Sequence, residues 1–353
     1  MFHKPSACSS FPLALLLSFL CSTLWGCAQG GHTGDITNEV VEVEDNLGSN
    51  DDVADLDEDI ESDVPSDSDD SNSPSDSSGN STMLNGRCEG NYLFTLASEL
   101  ALIENCREIT GSLTFNGVVF ESLDLPRLTH IGESLFIHEI QGLNSLAGLS
   151  SLEHIGKHLK VTNTVDLESL DGLENLRTIG NELYVTENPD ITQIDALRFI
   201  REIPGRMMHV SSNPKLQTID GLESITSVGG SVRIWNNTLI THVDGLRSLV
   251  SVGLNSEDYQ DLDISYNSSL ENLDALINLE LVPGTLKIFD NRSLVSIEGL
   301  ANIRGVGQNF TISDNIGLPN CEAQDLLSSI ESDQGVGGEI SIEGNSNLEN
   351  CDN

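Results

Sequence analysis

Positive charge is the scarcest property of this sequence of 353 residues: 16 Lys and Arg stand against 56 Asp and Glu, a formal net charge of −40. No Lys or Arg occurs between Lys4 and Arg87. Nucleic-acid binding of the non-specific kind needs basic side chains to neutralise phosphates, so it is excluded. Adsorption to anionic lipid through charge is excluded for the same reason. Long apolar runs are equally few. The stretch Phe11 to Leu24 is apolar but short, and no other stretch reaches 18 residues, so no membrane-spanning helix is expected in the mature chain. The sequence also lacks a nucleophile elbow, a P-loop, an HExxH pair and a dinucleotide fingerprint. It has no CxxC or Cys/His spacing suited to zinc. No cofactor and no metal are expected.

What is present begins with an export signal, expected over residues 1–26. Lys4 supplies the positive start and Phe11 to Leu24 the apolar run. The run ends in Leu24-Trp25-Gly26-Cys27, which resembles a bacterial lipobox, whose Cys is diacylated and becomes the new N-terminus. Trp25 departs from the small or branched residue usual there, and simple secretion after cleavage near Ala28 is the alternative. Ala28 and Gln29 follow Cys27 with no Asp beside it, which resembles the pattern of outer-membrane sorting. Expected localisation is therefore the bacterial outer membrane, held through lipid on Cys27 and exposed at the cell surface.

Residues 27–84 read as a tether. Of the 56 acids, 17 lie between Asp35 and Asp76, leaving 39 against 15 bases once Lys4 is set apart, a net of about −24 for the rest. Runs such as "DSDDSNSPSDSSGNS" offer little to bury and no periodicity, so disorder is expected. A flexible chain of this length spans roughly 40–45 Å. The run "DLDEDIESD" lacks the Gly and the final acid of a calcium loop counted from Asp55, and reads as spacer. Of the seven cysteines, Cys8 and Cys21 leave with the signal and Cys27 takes lipid. Cys88, Cys106, Cys321 and Cys351 remain, an even number in an oxidising compartment. Four cysteines allow three pairings; local pairing, Cys88–Cys106 and Cys321–Cys351, would staple both ends of residues 85–353.

Those residues are filled by a repeat of about 24 residues. Aligned on one apolar position, the copies fall at Ile131, Ile155, Ile179, Ile203, Val228, Val252, Val282 and Val306, with steps of 24, 24, 24, 25, 24, 30 and 24. The odd steps place one extra residue near Gly205-Arg206 and six in Gly253 to Asp261. A unit this short cannot bury its own apolar face; stacked copies can, and the product is a solenoid. Each Leu-x-Ile/Val triplet is expected to be a short parallel strand with the outer two residues inward. About ten such coils are expected. The Asn column, Asn188, Asn213, Asn237, Asn267, Asn291, Asn315 and Asn345, is expected to be a buried ladder satisfying the turn backbone. In Asp171-Gly172, Asp220-Gly221 and Asp244-Gly245, glycine is expected to supply a positive φ. Short capping helices are expected at "LFTLASELALIENC", through Leu93, Leu96, Leu100 and Ile103, and at "CEAQDLLSSIES", with "EISIEGN" as the last strand.

The stretch "LASELALIENCREITGSLTF" resembles the opening of the receptor L domain, the leucine-rich module of insulin-receptor and EGF-receptor ectodomains. Cys106, Ile109, Gly111 and Leu113 match its pattern, and Phe115 takes the place of the final Ile. The resemblance covers roughly 88–353. It implies a mainly β chain, a right-handed parallel β-helix akin to leucine-rich repeats, with disulfides at its ends and a surface that binds something outside the cell. No Cys-rich module, transmembrane helix or kinase accompanies it, so signalling is not implied.

On the strand face the outward positions are mostly small and polar: Ser134, Thr162, Thr186, Ser211, Ser231, Ser265, Thr285 and Ser313. Against them stand Phe136, Tyr184, Trp235 and Phe289, with Lys160, His209, Arg233 and Lys287 beside them. Trp, Tyr and Arg anchor interfaces and stack on sugar rings, so these eight are the candidate ligand-binding residues, Trp235 with Arg233 foremost. Aromatics merely packing on neighbouring rungs are the bland alternative. His130 and His154 share a place in adjacent coils, but the next equivalent is Thr178, so paired surface imidazoles are expected rather than a metal site. Sequons at Asn236, Asn267, Asn291 and Asn309 carry no meaning in a bacterial lipoprotein. The outward acids are Glu182, Asp261 and Asp263 alone. The expected function is a non-enzymatic binding protein for an extracellular protein or glycan. The alternatives are a structural or adhesion component without a discrete ligand and a polysaccharide-active β-helix enzyme.

Overall fold

Alternating apolar triplets form the strands that the repeat predicts. The computed structural model describes residues 86–256 and 260–347. The expected signal, lipidation site Cys27 and tether lie outside the described residues, as do Cys351 and the centre of the 253–261 insertion. The triplets make one wholly parallel, 11-stranded sheet running from Tyr92–Phe94 to Ile340–Ser341. Its strands pair in strict register, so that Leu159, Leu183 and Met208 stack as one column and Val161, Val185 and Val210 as the next. A second wall is built of two-residue strands such as His154–Ile155 and Thr178–Ile179. That wall is divided into sheets of five, three and three strands, and its breaks fall beside the two irregular steps of the repeat. The third side returns through single 3-10 turns, among them Asp195–Leu197, Asp220–Leu222 and Asp244–Leu246. The architecture is a mainly β, parallel β-helical solenoid.

The core is a stack of Leu, Ile and Val from every coil, with Leu135, Leu159, Leu183, Val232, Leu262 and Leu286 without solvent exposure. Burying one such side chain contributes about 1.5–3 kcal/mol, and only stacking provides the burial. The insertions sit where the spacing puts them. Leu183 pairs with Met208, although the first lies four and the second five residues past its aligned Ile. Val232 pairs with Leu262 across the longer insertion.

The Asn ladder forms as expected, all seven members being buried. From Asn213 onward each Oδ1 accepts from the backbone N–H of the Asn one rung earlier, as Asn237 does from Asn213 at 3.1 Å and Asn291 from Asn267 at 3.0 Å, and Asn188 accepts from the backbone N–H of Thr164 at 3.1 Å. Each Nδ2 donates to a carbonyl of the preceding strand, as Asn213 does to Val185 at 2.9 Å. Thr164 occupies the same column one rung before Asn188 and donates its hydroxyl to Asn188 at 2.7 Å. Asn267 and Asn291, two of the four sequon residues, are thus consumed by the ladder.

Several expectations need correction. The segment predicted as an N-terminal capping helix begins with the strand Tyr92–Phe94 and continues as a 3-10 turn, Ala97–Leu102. Leu93 and Leu96 are each 60% exposed, while Ile103 is buried. The first rung of the sheet therefore competes successfully with helical periodicity, because Phe94 stacks on Phe115 at 5.9 Å. At the other end the helix Asn320–Glu331 is present and replaces the 3-10 turn of the final coil, burying Ala323, Leu326 and Ile330. The last strand is only Ile340–Ser341, and Ile340 is 45% exposed because no rung follows it among the described residues. Gly172 has the expected positive φ of 113°, but Gly221 and Gly245 do not. They are required by close stacking instead: a Cβ would lie 2.0 Å and 1.9 Å from the carbonyl oxygens of Ile194 and Ile219. Cys88 and Cys106 are joined, with Cα atoms 5.8 Å apart. Cys321 is also disulfide-bonded, its expected partner Cys351 being outside the described residues.

Candidate ligand-binding face

The middle residue of each apolar-x-apolar triplet projects away from the core. In-register pairing turns these positions into a continuous row: Phe136, Lys160, Tyr184, His209, Arg233, Asp263 and Lys287. Six of the eight candidate residues thus share one row, and Trp235 and Phe289 lie two residues further along their strands on the same face. All eight are half-buried. The small residues between them are not the exposed ground that alternation implied. Ser134, Thr162, Thr186, Ser211, Ser231, Ser265 and Ser313 are all buried, because the larger side chains of adjoining rungs close over them; Thr285 alone is half-buried.

The face carries two patches. In the first, Lys160 Nζ lies 4.5 Å from the ring centre of Tyr184 and 5.9 Å from that of Phe136. Tyr184 meets His209 edge-on at 5.8 Å. Cation–π contacts of this exposure contribute about 0.5–1 kcal/mol each. Beneath them Glu182 is only 1% exposed. Its carboxylate faces His158 Nδ1 at 2.9 Å and Arg206 Nε at 3.3 Å. Burial alone would push its carboxyl up, but His158, Lys160 and Arg206 together hold it below the ordinary value. His209 is half-buried, yet its Nε2 is sealed from solvent without a hydrogen-bond partner. Burial first, and then the positive charge of Arg233, push its imidazole down to about 3, so the ring is neutral at physiological pH.

The second patch is an aromatic ledge. Trp235 and Tyr266 meet edge-to-face at 5.4 Å, and Tyr266 and Phe289 at 5.2 Å. Lys287 Nζ lies 5.5 Å from the Phe289 ring. Behind the ledge Arg233 Nε faces Asp263 Oδ2 at 3.6 Å, and Ser265 donates its hydroxyl to the same carboxylate. Burial raises the Asp263 carboxyl above its ordinary value against the pull of Ser265, Lys287 and Arg233. Of the other outward acids, Asp261 accepts from the Thr285 backbone at 2.6 Å and serves the turn.

Tyr266 was absent from the sequence-derived set because it follows the strand rather than belonging to it. The same place in other coils holds Glu139, Asn163, Glu187, Ser212, Asn236, Asp290 and Asp314, every one with positive φ. A lone Tyr in that otherwise short or acidic column was the available signal. Here φ is 60°.

Elsewhere the chemistry is sparse. His130 and His154 are register partners with ring centres 4.5 Å apart, and His154 Nδ1 is 2.8 Å from Thr178 Oγ1. No group of three or more metal-capable side chains exists among the described residues. A cleft of about 590 Å³ is lined by Glu121, Asp166, Glu168 and Asp190 among others and includes no residue of the main sheet. The Asp166 and Asp190 carboxylates there accept backbone hydrogen bonds from Gly142 and Asp166.

The in-register parallel coils, with the Cys106 disulfide at their start, agree with a known family. Residues 105–221 match the receptor L domain family. No curated protein matches the chain. Receptor L domains are ligand-binding modules, and the matched segment contains the whole first patch, Phe136 through His209. The coil geometry continues beyond the receptor-L match without a change of register through Phe310–Ser313. The aromatic ledge therefore stands on coils outside the matched segment.

Proposed function

We propose that the protein is a non-enzymatic binding protein of the bacterial cell surface, in which the main sheet of the solenoid engages an extracellular protein or glycan. The observation that carries this reading is the unbroken row from Phe136 to Arg233, which sets aromatic and cationic side chains one rung apart on a rigid sheet. Anchors of this kind hold a ligand with little ordering cost, since the stacked strands already fix them. The row runs across successive strands of one sheet, which suits a macromolecular or polymeric ligand better than a small molecule. Lipid on Cys27 would hold the protein to the outer membrane, and residues 28–84 would carry the solenoid away from it. Catalysis has no support from the outward acids, since Glu182, Asp261 and Asp263 are each committed to salt bridges or backbone.

The test is capture of partners from a panel of surface proteins and immobilised glycans by the full chain. Capture lost on combining Phe136→Ala, Tyr184→Ala and Arg233→Ala, in a variant that keeps its circular dichroism spectrum, supports the reading. Capture unchanged in that variant moves the site off the sheet, and a panel without any ligand favours a structural role.

A further inference from the structure

We propose that the ledge formed by Trp235, Tyr266 and Phe289, with Arg233 and Asp263 behind it, is a carbohydrate subsite that takes a neutral oligosaccharide lying across the strands. This rests on the sheet-face reading and adds the ligand class. A sugar ring presents an apolar C–H face and a rim of neighbouring hydroxyls. The first stacks on aromatic rings; the second is best met by planar groups that donate or accept two hydrogen bonds at once. Both kinds of group are present at the right separation. Arg233 and Trp235 lie two residues apart on one strand, hence about 6.6–6.8 Å. Trp235, Ser265 and Phe289 are register partners on three successive rungs, so the ledge spans about 9–10 Å, the length of a disaccharide unit.

Three further observations favour a sugar on this ledge, the first two against a charged or peptide occupant. Arg233 and Asp263 are paired with each other, so together they offer donors and an acceptor without demanding net charge from the ligand. A peptide strand would add to a sheet through unpaired backbone at an edge, whereas the ledge sits on interior rungs whose backbone is already paired on both sides. The third concerns Tyr266. Seven coils place a Glu, Asn, Ser or Asp at the left-handed position after the strand, and only this coil places a bulky aromatic there. Bulky residues disfavour that backbone conformation, and such strain collects at functional sites. In this chain the ring so placed is the one that bridges Trp235 and Phe289.

The sequence supplies its own probe. Its two tryptophans are Trp25 and Trp235, so the full chain carrying Trp25→Phe emits from the ledge alone. The experiment titrates that protein with defined gluco-, manno-, galacto- and xylo-oligosaccharides, disaccharide to hexasaccharide, and reads Trp235 fluorescence. The expected result is a saturable shift with at least one series, and one stronger than the shift given by that series' monosaccharide, titrated alongside. Tyr266→Asn should weaken it by about tenfold or more. That variant should fold at least as well as the parent, since Asn suits positive φ, and its melting temperature should not fall. Phe289→Leu should weaken binding likewise, while Phe199→Ala, an exposed aromatic off the main sheet, should not. No response to any series overturns the proposal, and so does a response that survives both ledge variants. Silent oligosaccharides together with a protein partner lost on Phe136→Ala and Tyr184→Ala would sink the carbohydrate subsite and leave the sheet-face reading standing.

Discussion

Asn213 donates from both its backbone N–H and its side-chain Nδ2 to the single Oδ1 of Asn237, each at 3.1 Å, in a site without solvent. Asn237 in turn donates to the carbonyl of Val210 at 2.9 Å and passes its own N–H to Asn267 at 3.0 Å. The Asn237 side chain therefore satisfies groups on its own rung, where Nδ2 also donates to the Trp235 carbonyl at 3.1 Å, and on the preceding one, while its backbone is satisfied by the rung that follows.

Replacing Asn237 by Ala should accordingly cost about 3–5 kcal/mol, because it leaves more than one buried donor and acceptor unpaired. Asn237→Asp should cost as much or more, since it keeps the acceptor but loses both Nδ2 donors and brings in a buried charge. Urea unfolding followed by circular dichroism measures this; a change below about 1 kcal/mol would show that water or backbone shifts repair the ladder.

His209 should remain unprotonated down to about pH 3. The unfolded chain takes up this proton near pH 6.5, so the folded state binds fewer protons in between. The contribution of His209 to stability is thus complete above about pH 6.5 and is lost as pH falls towards 3. The slope approaches at most about 1.4 kcal/mol per pH unit. Two-dimensional NMR of the imidazole resonances gives the titration directly, and His209→Gln should flatten the stability profile in this window. A midpoint near 6 would refute the sealed environment.

Glu182 has the opposite sign of charge but the same direction of linkage. Its folded carboxyl is held below the ordinary value, so its stabilisation is fully present above about pH 4.5 and fades as pH drops through the folded midpoint. Glu182→Gln should lower stability by about 1–3 kcal/mol at pH 7, the lower end reflecting that Arg206 is well exposed. Thermal melts of parent and variant should converge as the pH is taken below 4. Melts that stay equally far apart at every pH would mean that packing, not charge, sets the cost.

Removing the Cys88–Cys106 bond by paired Ser substitution should cost on the order of 3 kcal/mol in the first coil by loop-closure entropy. Because each rung touches only its neighbours, the loss should stay local. Hydrogen exchange should speed up at Ile109 and Leu113 and leave Val210 and Ile234 protected. Uniform acceleration along the array would show instead that the solenoid unfolds as one unit.

The sequence by itself determined the coil. A repeat of 24 residues dictates stacking, period-two alternation dictates which side of each triplet is buried, and the odd steps locate both insertions. The Asn column was equally legible, because a polar residue recurring at an apolar corner has no other physical use. These features depend only on positions along one chain direction, which the register repeats from rung to rung. The tertiary structure decided everything that depends on contacts between adjoining rungs. It put Tyr92–Phe94 into the sheet, because stacking of Phe94 on Phe115 outweighs helical spacing. It buried the small polar residues of the face under larger side chains from adjoining coils. It explained Gly221 and Gly245 by carbonyl oxygens of the preceding coil rather than by φ, and enclosed Glu182 among cationic groups from the two adjoining rungs. It also placed the Tyr266 ring between Trp235 and Phe289, through a left-handed residue that no alternation rule anticipates. Periodicity fixes which face a side chain occupies; only close packing between coils fixes what it touches there.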